Sequence, residues 1–191
     1  WMNNSHSLNQ ADWVDFLAAQ IAATRSLEAA AKAVSATLGR TVSPTVVVTL
    51  PYPDPRQDQF GHGSTDRMLN FSKTADRIAG AEWYVDFATQ RWNATVVAEG
   101  WIHLRFVGFY WVEESVCGCV NHAQTGCTMC DIEGHPEFDK FDIDDAAILP
   151  SITAHVHAAP GNLLINWIPY YDLYNSHWAP KWRELGFDLA V

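Results

Sequence analysis

Three prolines within five residues constrain the fold of this chain more than any other feature. The β-branched run Val46-Val47-Val48-Thr49-Leu50 leads directly into Pro51-Tyr52-Pro53-Asp54-Pro55. Valine and threonine favour extended backbone, whereas proline lacks the N–H group that a central strand needs. The segment therefore predicts a strand that ends at residue 50 and continues as a rigid loop.

A long helix is predicted on the N-terminal side of that strand. Between Asp12 and Leu38, apolar residues recur at steps of three and four among many alanines, at positions 13, 16, 17, 21, 27 and 34. Asp12 or Asn9 is a suitable N-cap, and Gly39 is a suitable end. A break at Ser26 would divide the segment into two helices of ordinary length.

A further helix and then a sheet are predicted along the rest of the chain. Residues 67–78 place apolar side chains on one helical stripe, with Ser64 or Thr65 as the cap. From residue 82 onward aromatic and β-branched residues dominate, and they predict strands over 83–87, 95–120, 152–158 and 163–171. A turn or bulge is expected near Gly108, because 95–116 is too long for one strand, and Pro160-Gly161-Asn162 is typical of a hairpin turn.

Composition and charge exclude several classes of protein. The chain has 191 residues, of which 48% are hydrophobic and 18% are charged, with 9 Trp, 9 Phe and 6 Tyr. This is typical of one globular domain with a large aromatic core. The net charge of -10 argues against nucleic acid or an anionic membrane as a partner. No apolar run is long enough to span a membrane and no secretory signal pattern is found, so a cytoplasmic location is expected.

An unusual segment at about 117–145 interrupts the predicted sheet. It contains much of the acidic charge and all four cysteines, Cys117, Cys119, Cys127 and Cys130. This C-x-C-x7-C-x2-C spacing predicts a structural zinc ion with no open coordination position, and therefore no catalytic metal. Disulfides between Cys117 and Cys130 and between Cys119 and Cys127, in a secreted protein, are the alternative, and four free thiols are a third.

The order of elements resembles that of a known superfamily. Residues 46–51 lead into Gly61 and a helix, Val96-Val97-Ala98-Glu99 begins a long strand, and residues 160–172 close the sheet with an aromatic-aromatic-Asp ending. In these features the chain resembles the nuclear transport factor 2 superfamily, in its SnoaL-like polyketide cyclase and limonene epoxide hydrolase branches. The resemblance implies an α+β fold in which a curved antiparallel sheet forms a cone closed by N-terminal helices. It also implies a homodimer formed through the outer face of the sheet.

The resemblance implies a function in the cone. A cofactor-independent lyase, isomerase or cyclase would act there by acid–base chemistry on an apolar polyketide- or terpenoid-like molecule. A non-catalytic module that binds a hydrophobic ligand is the alternative, and an accessory domain is a third. The epoxide hydrolase chemistry is not matched, because Gly100, Ile102 and Pro169 occupy the positions of its Asp-Arg-Asp set. Expected contacts of the substrate are Tyr52, Ile102, Leu104, Phe106, Trp167 and Tyr171.

Five residues are candidates for the acid–base groups. On a strand over 83–87, Asp86 and Tyr84 would share a face, so that a desolvated carboxylate could remove a proton while the phenol stabilises the enolate. His103 is the second candidate, with Glu99 or Arg105 beside it. Asp54 and His62 would form a pair at the rim of the cone. Each has a simpler reading: an exposed carboxylate, a histidine on the outer face, and ordinary loop residues.

Overall fold

The computed structural model of the chain describes residues 7–114, 116, 145–170 and 178–190. These residues form a mixed α/β fold with three α-helices and four short strands. In chain order the elements are α1 (Gln10–Leu38), β1 (Thr45–Leu50), α2 (Thr74–Glu99), β2 (Arg105–Trp111), α3 (Asp145–Ala158), β3 (Leu164–Trp167) and β4 (Leu189–Ala190). A short 3-10 helix, Ala179–Lys181, precedes β4.

The sheet is parallel throughout, so the expected antiparallel cone is wrong. The strands lie in the order β1-β2-β3-β4, and each of the three neighbouring pairs is parallel. Parallel neighbours need a crossover connection, and α2 and α3 supply it between β1 and β2 and between β2 and β3. Consecutive parallel strands joined by helices form the same arrangement as the wall of a β/α barrel.

The N-terminal helix and the first strand are confirmed. Helix α1 runs without a break through Ser26. It begins with a capping box, in which the Asn9 side chain accepts hydrogen bonds from the backbone N–H groups of Ala11 and Asp12 while the Asp12 side chain accepts one from Asn9. It ends at Gly39, whose φ of 61° is left-handed. Both signals are local, so they can be read directly from the sequence.

The strands predicted over 83–87 and 152–158 are wrong, because both segments are helical. Residues 83–87 lie in the middle of α2, which buries Ala81, Tyr84, Val85, Ala88 and Trp92 along one face. Residues 152–158 end α3, which buries Ile148, Leu149, Ile152, Thr153 and Val156. Each set repeats at steps of three and four. The segments 83–87 and 152–158 are too short by themselves for this helical period to be distinguished from the alternation of a strand.

The other boundaries shift for related reasons. The helix expected at residue 67 begins at Thr74, because residues 51–73 form a long loop packed through Phe60, Leu69 and Phe71. The long strand expected over 95–120 contains the end of α2, the left-handed Gly100 and then β2. The bulge expected near Gly108 is present, since the register between β1 and β2 shifts between Val46 and Val47. The turn at Gly161 and Asn162 connects a helix to a strand and not two strands of a hairpin.

The three helices cover one face of the sheet. Its buried strand residues belong to the same core cluster as the inner faces of the helices, and they are Val46, Val48, Leu50, Phe109, Trp111, Ile165 and Trp167. No described element packs on the opposite face, where Val47, Leu164 and Leu189 are 41%, 45% and 48% exposed. We call this second surface the open face; Tyr110 and Asn166 lie on it by the same register. None of the helices in the described ranges has the length and hydropathy needed to cross a membrane.

Candidate functional site

The carboxyl ends of β1, β2 and β3 meet at one edge of the sheet, because the strands are parallel. Tyr52 follows β1, Glu113 and Glu114 follow β2, and Tyr170 follows β3. We call this group, together with Tyr110 at the end of β2, the carboxyl-edge site. In parallel α/β folds the loops at this edge carry ligand-binding and catalytic side chains.

Hydrogen bonds hold the backbone of the two glutamates in place. The indole Nε1 of Trp167 donates to the carbonyl oxygen of Glu113 at 3.1 Å. The backbone N–H of Tyr170 donates to the carbonyl oxygen of Glu114 at 2.9 Å. Trp167 ends β3 and Tyr170 follows it, so the backbone of the acidic pair is tied to the neighbouring strand.

The phenol of Tyr110 and the two carboxylates share one electrostatic environment. Burial raises the pKa of Tyr110, and the negative charges of Glu114 and Glu113 raise it further. Glu113 is partly buried, whereas Glu114 is exposed. The site therefore combines one neutral hydroxyl group with two carboxyl groups in different surroundings.

Beside Tyr52 lies a fully buried ion pair between Arg77 of α2 and Asp145, the first residue of α3. The Tyr52 hydroxyl donates to Asp145 Oδ1 at 3.0 Å and accepts from Arg77 Nη2 at 3.1 Å. Arg77 also donates from Nη2 to Asp145 Oδ1, and from Nε to the carbonyl oxygen of Pro53 at 2.8 Å. Burial lowers the pKa of Arg77, but Asp145 and Tyr52 together raise it by more, so the guanidinium stays charged.

The structure does not bring Asp86 and Tyr84 together. They are two residues apart on α2, so they point in different directions from the helix. Tyr84 is buried, its hydroxyl oxygen accepts from Gln20 Nε2 at 3.4 Å, and burial raises its pKa. The Asp86 side chain is 61% exposed and contacts His155 Nε2 at 2.8 Å. The two side chains therefore do not share a face, as the strand assignment had required.

His103, Ile102, Leu104 and Phe106 lie at or before the start of β2, at the opposite edge of the sheet. The carboxylate of Glu28 on α1 contacts His103 Nδ1 at 2.8 Å. It also accepts backbone N–H groups of Ile102, His103 and Leu104 at 3.1 to 3.4 Å. These hydrogen bonds fasten α1 to the start of β2, so the role that they indicate for His103 is structural.

Because of Glu28, the free energy of unfolding is expected to depend on pH in the acidic range. Burial raises the pKa of Glu28, but hydrogen bonds from the His103 side chain and from the backbone of Ile102 and His103 lower it by more. Because the pKa is lower in the folded chain, the contribution of Glu28 is full above its unfolded pKa of about 4.3 and is lost as the pH falls through the folded pKa. Glu28→Gln should lower the free energy of unfolding at pH 7 by roughly 2 to 3 kcal/mol, measured by urea titration.

An exposed glutamate near the C-terminal end, Glu184, provides the control for that measurement. Glu184→Gln should leave the unfolding curve unchanged to within about 0.5 kcal/mol. The difference between Glu28→Gln and the unmodified chain should shrink as the pH falls through the folded pKa of Glu28, because the carboxyl is then protonated in both states. A Glu28→Gln chain as stable at pH 7 as the unmodified one would contradict the assignment.

The remaining predicted residues have separate surroundings. Asp54 lies in the loop after β1 and pairs with Arg56, whose Nε is 2.9 Å from Oδ1. His62 is exposed on the long loop before α2, and Trp167 is buried against Phe187 with a ring separation of 5.3 Å. Tyr171 and the four predicted metal ligands, Cys117, Cys119, Cys127 and Cys130, lie outside the described residues, so the zinc site stays a prediction.

The sequence reasoning missed five residues of this region: Tyr110, Glu113, Glu114, Arg77 and Asp145. The signal for the glutamates was present, because Glu113-Glu114 follows the aromatic run of β2 after only one residue, Val112. A pair of carboxylates at the end of a strand becomes a site only when the neighbouring strands run in the same direction, and the antiparallel prediction removed that meaning. Asp145 was counted among the acidic residues of the Cys-containing segment.

Comparisons with known proteins identify one family. The sequence profile described as "Domain of unknown function (DUF4855)" matches residues 2–128, which is more than half of the chain. No curated protein and no solved structure matches the chain at a significant level.

Proposed function

Because the chain belongs to the DUF4855 family, whose description names no function, we propose a function from the geometry alone: the carboxyl-edge site binds a neutral carbohydrate and acts on it by acid–base chemistry. The observation that carries this proposal is the position of Glu113 and Glu114. They follow the central parallel strand β2 after one intervening residue, and their backbone is fixed there by Trp167 and Tyr170.

Two adjacent carboxyl groups are suited to acid–base catalysis. Glycoside hydrolysis uses one carboxyl group to protonate the leaving oxygen and a second to activate water or attack the sugar. Different surroundings are what assign these roles, and Glu113 and Glu114 differ in exposure. The hydroxyl of Tyr110, whose pKa both carboxylates raise, adds a neutral hydrogen-bond donor to the site.

The surroundings of the glutamates favour a neutral, polyhydroxylated ligand. A net charge of -10 and two local carboxylates disfavour an anionic ligand, and the same carboxylates disfavour a purely apolar one. The hydroxyl groups of a sugar donate to carboxylate oxygens, and its C–H faces pack on aromatic rings. Tyr170, which is 61% exposed, and the half-buried Tyr52 provide such rings on either side of the glutamates.

We therefore propose Glu113 and Glu114, in place of Asp86, as the acid–base groups. One experiment compares these two candidate sites. Calorimetric titration with cellohexaose, xylohexaose and chitohexaose, with chromatography of the products, measures binding and cleavage. We expect at least one hexasaccharide to bind and to be cleaved. Glu113→Gln and Glu114→Gln should each lower the rate by about 10² to 10⁴-fold.

Asp86→Asn is the matched control, because Asp86 is an exposed carboxylate on the outer side of α2. We expect it to cleave the hexasaccharide at the unmodified rate. Loss of activity in Asp86→Asn with full activity in both glutamine variants would contradict the proposal and favour the sequence-based site. Binding without cleavage would select the non-catalytic module, and failure of all three hexasaccharides to bind would overturn the carbohydrate assignment.

The location and the cysteine chemistry are proposed from the sequence. A cytoplasmic location goes with reduced cysteines that bind one zinc ion, whereas a secreted protein would contain disulfides. Native and denatured mass spectrometry of one unreduced sample separates them. We expect an excess of one zinc that is lost on denaturation, with four free thiols; a deficit of about four hydrogens would instead indicate two disulfides.

A further inference from the structure

We propose that Arg77 and Asp145 are positioning residues that hold the phenol of Tyr52 as one wall of the carboxyl-edge site. The inference rests on the proposed function, because it assigns a wall to the same ligand. It adds two residues that do not touch the ligand themselves and act through Tyr52.

Tyr52 lies beside the acidic pair by strand register. Leu50 pairs with Trp111 across β1 and β2, and Tyr52 and Glu113 each follow two residues later. The Tyr52 ring packs edge-on against the Trp111 ring, with the centroids 5.9 Å apart. Tyr52 is half-buried, whereas the Arg77 and Asp145 side chains are completely buried, so Tyr52 is the member of the network that reaches the edge.

The network fixes the Tyr52 side chain in three ways. Its hydroxyl accepts from Arg77 and donates to Asp145, which sets the orientation of the O–H group. The Arg77 guanidinium also lies 5.4 Å from the centroid of the Tyr52 ring. Finally, Arg77 Nε bonds the carbonyl oxygen of Pro53, so the backbone that follows Tyr52 is held by the same side chain.

Stability alone does not account for this network. Removing two charges from water is costly, and apolar residues of similar volume are commonly as stabilising as a buried ion pair. Arg77 Nη1 is buried and, within the part of the chain that the structure describes, has no hydrogen-bond partner, which adds to the cost. What the pair provides in return is geometry, because it joins the loop after β1, the first turn of α2 and the start of α3 at one point.

The test uses a variant that removes both charges together. Arg77→Met/Asp145→Leu should fold with stability close to that of the unmodified chain and should bind the preferred hexasaccharide at least tenfold more weakly. Tyr52→Leu should give a similar loss of affinity, and adding Tyr52→Leu to the double variant should cause no further loss. Glu28→Gln, which weakens the opposite edge of the sheet, should lower stability without changing affinity. If Arg77 and Asp145 had only a structural role, replacing them would change the free energy of unfolding and leave the affinity for the hexasaccharide unchanged.

A second readout needs no ligand. N-acetylimidazole acetylates accessible tyrosine hydroxyls, and peptide mass spectrometry reports each site. In the unmodified chain Tyr52 should react at least tenfold more slowly than Tyr170, and in Arg77→Met/Asp145→Leu the difference should largely disappear. If the double variant does not fold, Arg77→Lys takes its place, since it keeps the charge but loses the bond from Nη2 to Tyr52.

The outcomes separate the two proposals. If no hexasaccharide binds the unmodified chain, the proposed function fails. The acetylation rates of Tyr52 still test whether Arg77 and Asp145 position it. If a hexasaccharide binds and the double variant retains full affinity, the positioning role is overturned and the function stands. Equal acetylation of Tyr52 in the unmodified chain and in the variant also overturns it.

Discussion

Asp145→Leu is expected to lower the free energy of unfolding by roughly 3 to 5 kcal/mol, measured by urea titration at pH 7. The carboxylate that it removes is fully buried and accepts hydrogen bonds from Arg77 and Tyr52. Its loss leaves the Arg77 guanidinium charged in an interior where Tyr52 is the remaining side-chain partner that the structure shows. An uncompensated buried charge of this kind is among the most destabilising changes that a single substitution produces.

The same reasoning gives the opposite result for the pair. Arg77→Met/Asp145→Leu should differ from the unmodified chain by less than about 1 kcal/mol, or should be more stable, because neither charge is then buried. Arg77→Met alone should be as harmful as Asp145→Leu alone, and the cycle should show strong coupling between the two positions. Independent losses that simply add in the double variant would contradict the ion pair. Asp86→Asn, at an exposed carboxylate on the surface of α2, should change stability by less than about 0.5 kcal/mol.

Those parts of the fold that depend on local chemistry were predictable. The end of α1 at Gly39 and the limit of β1 before Pro51 follow from capping and from the missing N–H of proline, and Asn9, the N-cap of α1, is one of the two caps that the sequence offered. Each of these signals lies within a few residues of the feature that it determines.

Strand direction was not predictable in the same way. Trp83, Val85 and Phe87 are residue types that favour strands, yet tertiary packing holds them in a helix whose buried face extends from Ala81 to Trp92. Once α2 and α3 are recognised as helices, they become crossovers and the strands must be parallel. The two wrong strand assignments, over residues 83–87 and 152–158, therefore changed the predicted topology of the whole sheet.

The candidate site was hidden for the same reason. Arg77 and Asp145 are 68 residues apart, and Asp145 ends an acidic run that is typical of a solvated surface. Only the parallel sheet brings the start of α2 and the start of α3 to the same edge as Tyr52. The glutamates of β2 were visible in the sequence, but their meaning depended on that edge.

Gly108→Ala is expected to be the most damaging small substitution in the sheet. Gly108 lies in β2 with a φ of 146°, a conformation that L-residues rarely adopt. A Cβ atom there would overlap the main-chain nitrogen, carbon and oxygen atoms of Leu164 in β3. Backbone strain and the forced separation of two paired strands each cost of order 1 to 3 kcal/mol, so a loss of about 3 kcal/mol or more is expected from urea titration, or a failure to fold.

Gly39→Ala separates the two causes. Gly39 also has a positive φ, of 61°, but a Cβ atom there would meet nothing within 4 Å. It should therefore show the conformational cost alone, roughly 1 to 2 kcal/mol. Because Tyr110 and the glutamates follow Gly108 along β2, a Gly108→Ala chain that still folds should also bind the hexasaccharide more weakly, whereas Gly39→Ala should not. Equal losses of stability in the two variants would mean that β2 and β3 are not packed as closely as the parallel register requires.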